Sequence, residues 1–343
     1  MPNPVITKAI DRLMGRHDLS AEEIAAVLAE IMDGNASEVE TAGVLVALRT
    51  KGETIDELVG LATTMRLLAT PVACDRDDLI DTAGTGGGRP TFNVSTTAAL
   101  IAAGAGCALA KHGNRSATGL SGSADVLEAL GARIDLGPSE VARCIDRAGF
   151  GFMFAPAHHA ATRFVVPVRK ELAVRTIFNF LGPLTNPAGA RRQLIGVSDP
   201  AYLERMAGAL ARLGCDRALL VSSEDGLDEM STSAPTNVVE VNGDEIRRYV
   251  VAPSDVGIEV APFDAVRGGT PDDNARTTRS ILAGDEGAPR DIAAFNAGAA
   301  IYAGGIADSL AEGVEAARAA IDSGAAERTL DDYVALSREL APA

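Results

Sequence analysis

The chain is 343 residues long, room for roughly two domains of about 150 residues each, and 47% of it is apolar, which supports a buried core and excludes a disordered chain. Lysines and arginines number 31 against 47 aspartates and glutamates, so the formal charge of −16 repels a polyanion such as duplex DNA, and any phosphate must be met by a local site. Cys74, Cys107, Cys144 and Cys215 form neither a CxxC pair nor a metal spacing, Met1 to Arg16 lacks a secretory apolar core, and no apolar run reaches the ~18 residues of a membrane span; a soluble cytoplasmic protein is expected.

Three Ser/Thr-x-x-Glu sequences, Ser20 to Glu23, Ser37 to Glu40 and Thr54 to Glu57, predict helix starts. After the first, Ile24, Val27, Leu28 and Ile31 follow the i, i+3, i+4, i+7 spacing of a helix with one buried face. Residues 4–70 therefore read as about four short helices, broken at Gly34-Asn35 and Lys51-Gly52. The period then changes. A strand at 78–81 runs into the glycines of 84–88, and a helix is expected over 95–105. Strands at 107–110, 133–136 and 151–154 alternate with helices at 123–130 and 139–148. A helix-rich stretch, 158–181, interrupts this before strands resume at 194–197 and 218–222; from Asn274 onward helices dominate. The pattern predicts an α/β protein: a small, discontinuous helical domain (1–70 and 160–185) and a larger domain (71–159 and 186–343) with a mainly parallel central sheet flanked by helices.

Chemistry gathers in four places. Strand, glycine-rich turn and helix from Asp81 to Ala99 would set backbone N–H groups around a concavity suited to phosphate, although a plain tight turn has the same letters. Neither nucleotide fingerprint fits: no Gly-Lys-Ser/Thr ends the loop, and Ser95-Thr96-Thr97 stand where a dinucleotide fold places its third glycine. Those hydroxyls suit phosphate, Mg²⁺ or simple N-capping. Lys111-His112-Gly113-Asn114-Arg115 emerges at a strand's carboxyl end with two cations, and Ser121-Gly122-Ser123 opens the next helix. Asp228-Glu229 pairs two carboxylates, hard ligands for Mg²⁺ or a solvated acidic loop. Neighbouring His158-His159 lack a partner at helical spacing, and no zinc is assigned.

Taken together, GTGGGRPTFNVST (84–96), KHGNRSATGLSGSADVLEAL (111–130), VRKELAVRTIFNFLGPLTNP (168–187) and GLDEMST (226–232) resemble the anthranilate phosphoribosyltransferases, the tryptophan-pathway branch of the nucleoside phosphorylase-like phosphoribosyltransferases. The stretches fall in the family's order over essentially the whole length. The resemblance implies that 5-phosphoribosyl-1-diphosphate binds with Mg²⁺ and that anthranilate attacks ribose C1 to release diphosphate. It implies that Gly84, Gly86 and Gly87 cradle the diphosphate, with Thr91, Asn93, Ser95 and Thr96 completing its surroundings. Lys111 would neutralise phosphate charge and, with Mg²⁺, support the transition state, and Ser123 would help hold the sugar substrate. Ser95, Asp228 and Glu229 would hold the metal, while Gly84, His112, Asn114, Arg169 and Pro183 would line the anthranilate path. A homodimer through the helical domain, a cleft between domains, and no nucleic-acid or membrane partner are also implied.

The chain departs from the family twice. Gly88-Arg89-Pro90 replaces the usual Asp-Gly in a loop one residue shorter, which predicts a shift from metal recruitment toward direct anion attraction by Arg89. Thr118-Gly119-Leu120 replaces a Ser-Ser-Lys/Arg run, which removes a side-chain phosphate contact at Leu120. Competing readings are a pyrimidine nucleoside phosphorylase, disfavoured by the 168–187 stretch, and a non-catalytic nucleic-acid binder, disfavoured by the net charge. A Rossmann dehydrogenase lacks its acidic residue about 20 positions beyond the glycines.

Overall fold

The N-terminal helices form where their caps are. In the computed structural model, which describes residues 1–116 and 119–342, α1 (Pro4–Met14), α2 (Ala21–Met32), α3 (Glu38–Lys51) and α4 (Ile55–Leu68) follow one another. Ser20, Ser37 and Thr54 each accept the N–H three residues on, while Glu23, Glu40 and Glu57 return to the cap's own N–H. Glu57 goes further: buried, it also accepts the Leu19 N–H (3.0 Å) and pairs with Lys51 (2.9 Å), tying α4 to α3 and to the loop before α2.

Strands and helices then alternate: β1 (Leu79–Asp81), α5 (Val94–Gly104), β2 (Ala108–Gly113), α6 (Ser123–Ala129), α7 (Pro138–Ala148), β3 (Phe150–Phe154), α8 (Ala155–His158), α9 (Val166–Leu172), α10 (Phe178–Leu181), β4 (Arg192–Gly196), α11 (Leu203–Arg212) and β5 (Arg217–Ser223). An antiparallel hairpin, β6 (Thr236–Asn242) and β7 (Glu245–Val251), precedes α12 (Pro271–Leu282), α13 (Ala288–Ala303), α14 (Leu310–Asp322) and α15 (Ala325–Leu340). The seven strands lie in the order β3-β2-β1-β4-β5-β6-β7, parallel through β5.

Both faces of the sheet are covered, so its strands read as continuous apolar runs whose successive residues enter different cores. Leu194, Leu219 and Val221 join α5 and α13–α15 on one face; Ile195, Ala218 and Leu220 join α1–α4 and α11 on the other. Val165, Val168, Ile177 and Phe180 from the 158–181 stretch enter the second cluster, against the N-terminal helices.

Two expectations change. Residues 133–136 form no strand: Ile134 and Leu136 are buried between exposed Arg133 and Asp135, but the backbone meets α15 instead of the sheet, Arg133 N–H donating to Ser337 Oγ (3.0 Å). The hairpin β6–β7 has no clear signal in the sequence, because β7 is mostly exposed and carries Glu245, Arg247 and Arg248 where an apolar run would announce a strand. Among the described residues, no helix is long and apolar enough to cross a membrane. All four cysteines are free thiols.

Candidate functional site

β1 pairs with β2 on one side and β4 on the other, and the chain proceeds outward from them in opposite directions. The crevice above their carboxyl ends is a switch point, where open α/β sheets take ligands. The glycine turn follows β1, Lys111 to Gly113 close β2, Gly196 closes β4, and Asp228-Glu229 follow β5.

Backbone contacts fix the turn. Thr85 N–H donates to the Gly196 carbonyl (2.8 Å), and Thr85 Oγ1 accepts the Ser198 N–H (3.1 Å). Asp228 Oδ1 lies against Gly88, on the side where a Cβ would project, so its carboxylate sits beside the glycine turn, whose Gly86 and Gly88 N–H dipoles favour its charged form. Gly88 must be glycine for this approach, since a Cβ there would collide with Asp228 Oδ1. Gly87, at φ +88°, takes a left-handed turn directly beneath Arg175, and a Cβ would strike its Nη1.

Charge is concentrated and desolvated. Lys111 is fully buried, its Nζ donating to Thr82 O (3.2 Å) and Oγ1 (3.0 Å). Burial pulls its pKa down, opposed by the negative charges of Asp81 and Glu229. Asp81 accepts the His112 N–H (3.1 Å) and Asn186 Nδ2 (2.7 Å); burial pushes its carboxyl up. Desolvation followed by repulsion from Asp228 pushes Glu229 up to about 8, against the opposing pull of Lys111 and of the Ser95 N–H at the start of α5. Desolvation raises Asp228 as well. Two adjacent carboxylates held this far from ionising comfortably are hard oxygen donors that a divalent cation would complement. Their number suits Mg²⁺, which keeps waters and takes further oxygens from a phosphate.

The remaining expected residues surround this centre. Asn93 donates to Ser121 O (3.2 Å) and accepts from Ser121 Oγ (2.9 Å) and Asn274 Nδ2 (2.8 Å), which joins the α5 start to two loops. Thr91 bridges to Arg267, and Thr96 Oγ1 is buried without a partner among the described residues. Ser123 opens α6 beside Gly113, and Asn114 is exposed, with its side chain accepting the Arg115 N–H (2.7 Å). His112 Nδ1 lies 3.3 Å from Gly182 O, and its ring centroid is 5.0 Å from that of His159. Burial, then His159, pushes His112 down to about 3, so the ring is neutral and donates through Nδ1–H. Pro183, in the next turn, accepts from Gln193 Nε2 (2.6 Å). Arg169 on α9 is half-buried over the Phe178 ring (5.6 Å) and, among the described residues, forms no ion pair; burial lowers its pKa. Neither Arg169 nor Asn114 hydrogen-bonds the glycine turn or the twin acids.

Two cations are not where the letters place them. Arg89 lies 3.5 Å over the Phe263 ring and donates to Asp225 O (3.3 Å), so it clips the turn to the 225–233 loop instead of facing an anion. Arg115 is held by Asp125 (2.8 Å) and by both oxygens of Glu128 (2.5 and 3.0 Å). Leu120 is exposed, whereas Thr118 lies outside the described residues. Arg175, Asn186 and Asn274 were not singled out from the sequence, because each acts through partners about 90 to 180 residues away.

Residues 7–69 match the helical bundle domain of the glycosyl transferase family, and residues 76–327 match its a/b domain. An anthranilate phosphoribosyltransferase of Rubrobacter xylanophilus is 50% identical over 339 residues, 98% of this chain and 99% of that one. One of Symbiobacterium thermophilum is 51% identical over 315 residues, 92% of each. The crystal structure of the Thermus thermophilus anthranilate phosphoribosyltransferase superposes with a TM-score of 0.91 at 46% identity, covering 96% of this chain and 99% of the other. The Saccharomyces cerevisiae enzyme, in complex with PRPP and Mg, gives 0.89 at 25% identity, covering 98% of both.

Proposed function

This chain belongs to the anthranilate phosphoribosyltransferases, and from that premise we propose how its residues divide the reaction. The enzyme transfers the phosphoribosyl group of 5-phosphoribosyl-1-diphosphate to anthranilate in tryptophan biosynthesis, giving N-(5-phosphoribosyl)anthranilate and diphosphate.

The diphosphate lies against the turn of Gly84, Gly86 and Gly87, with Thr91, Asn93, Ser95 and Thr96 around it. Lys111 offsets its charge, and Ser123 helps hold the sugar phosphate. Mg²⁺ is held by Asp228, Glu229 and Ser95. When bound, it neutralises charge on the departing diphosphate. One observation carries this assignment: Asp228 lies against Gly88 and buried Glu229 feels both Asp228 and Lys111, so three separate sequence stretches come together around one place.

Anthranilate enters beside His112, Asn114, Arg169, Pro183 and Gly84. Its aromatic amine already has an available lone pair, so the protein's task is alignment of nitrogen with C1. Arg169, half-buried and unpaired among the described residues, offers a planar fork to the carboxylate. Neutral His112 supplies an uncharged wall.

The helical unit is assigned to 1–70 with 160–185, the α/β unit to 71–159 with 186–343, and the site to the cleft between them; the shared packing of Val165, Val168 and Phe180 with α1–α4 supports this division. Val39 and Val46, exposed seven residues apart and so on one face of α3, support a homodimer through the helices. Free thiols support a cytoplasmic setting.

Purified protein mixed with Mg²⁺, phosphoribosyl diphosphate and anthranilate is expected to consume anthranilate fluorescence only when all three are present. Fluorescence loss that proceeds without the diphosphate substrate, or no loss with it, overturns the reading.

A further inference from the structure

We propose that Arg175 is a recognition residue for the metal-bound diphosphate, reaching the glycine turn from the segment that carries Arg169; this rests on the reaction assigned above. Its Nη1 donates to the Gly86 carbonyl (3.0 Å), which places the guanidinium across the turn that Gly87 leaves open. Nε and Nη2 are buried and, among the described residues, have no hydrogen-bond partner. Buried charged donors left unpaired are costly, so a fold that keeps them keeps them for a ligand.

The side chain is held in place. Its guanidinium lies 5.4 Å over the Phe180 ring, which stacks on Tyr202 at 3.7 Å and 7°. Tyr202 is clamped in turn by Arg49 and Glu53 from the helical bundle. Ala173, a non-glycine residue at φ +50°, turns the chain after α9 and brings Arg175 back over the loop. The anion now beside it is Asp228, whose Oδ1 lies against Gly88 and whose charged form the Gly86 and Gly88 N–H dipoles and the Arg175 charge favour. A diphosphate would bring its own oxygens to the same N–H groups, and a planar fork with free Nε and Nη2 matches phosphate oxygens in two-point contact.

The test reads binding and turnover separately. Calorimetry with inorganic diphosphate and Mg²⁺ is expected to show about tenfold weaker binding for Arg175→Ala, with the KM for phosphoribosyl diphosphate rising by a similar factor and the KM for anthranilate changing by less than about twofold. Arg175→Lys, which keeps charge but not the fork, is expected to recover part of the loss. A folded Arg175→Ala protein with parental diphosphate affinity overturns the proposal. So does a loss shared equally by both substrates' KM values, which would mark Arg175 as a mere prop for Gly86. Should the alanine variant fail to fold, Arg175→Lys decides alone: at least about threefold weaker diphosphate binding upholds the role, and unchanged binding removes it. Parental protein that binds diphosphate yet leaves anthranilate untouched would sink the assigned reaction without touching this result.

Discussion

The glycine turn with its twin acids and the 158–187 segment meet where Arg175 donates to Gly86 O, but they are built on opposite principles. The first is dense in charge: Asp81, Lys111, Asp228 and Glu229 are desolvated together and restrain one another. The second buries uncharged rings instead, with His159 held down to about 4 by desolvation and then His158, and neighbouring His112 down to about 3; its charges lie toward solvent at Arg163, Lys170 and Glu171, or half-buried at Arg169 and Arg175. One region thus stores electrostatic stress that a metal and a diphosphate would relieve, whereas the other offers shape and two uncommitted guanidinium groups. Cations that the fold has already paired, Arg89 and Arg115, stand outside both roles.

The largest expected effect removes the stress. Asp228→Asn combined with Glu229→Gln is expected to lower kcat/KM for phosphoribosyl diphosphate on the order of 1,000-fold, while the melting temperature of the free protein stays level or rises. Retained activity in steady-state assays would make the acids a solvated pair and dissolve the contrast. The second region is tested next. Arg169→Ala is expected to raise the anthranilate KM by roughly 10- to 100-fold and leave that for phosphoribosyl diphosphate nearly unchanged, because a charge-assisted contact to one carboxylate is lost. An unchanged anthranilate KM takes Arg169 out of the site.

The two regions also respond oppositely to pH. Glu229 binds its proton more tightly folded than unfolded, so stability is favoured at low pH and declines as pH rises from its ordinary 4.5 toward about 8. His112 and His159 resist protonation in the fold, so stability instead falls as pH drops below their ordinary 6.5. Between these trends, from about pH 6.5 to 8, only the Glu229 slope of about one proton remains among the three. Chemical denaturation of metal-free protein across that range is expected to show stability decreasing with pH, and Glu229→Gln to flatten it. A slope that survives the substitution assigns the proton elsewhere.

How much of this was readable in the sequence follows from how local each feature is. The three capping boxes involve residues three apart, and the bundle they start was legible for that reason. Parallel strands buried on both faces announce themselves as apolar runs. Residues 133–136 alternate charged and apolar residues as a half-buried strand does, but without a neighbouring strand to pair with, and the charged exterior of β7 conceals a real one. In the site, the glycines, Lys111 and the twin acids were legible as types, but their shared point was not. Arg175 meets Gly86 across 89 residues, and Gly88 admits Asp228 across 140; such meetings belong to the fold.

The smallest expected effect is the sharpest on the question of which cations matter. Arg115 lies in the basic run after β2, and charge counting alone would give it a phosphate. In the structure, Asp125 and Glu128 hold its guanidinium on an exposed surface and drive its pKa up, side-chain hydrogen bonds to Glu128 leading. Its neighbour Lys111 has the reverse character, buried with its pKa pulled down. Arg115→Gln is therefore expected to leave the phosphoribosyl diphosphate KM within about twofold and to cost no more than about 1 kcal/mol of stability, the range of an exposed ion pair. A tenfold rise in that KM, read beside a modest one for Arg175→Ala, would show that the paired cation carries recognition and the unpaired one does not, and would reverse the lesson drawn from the two regions.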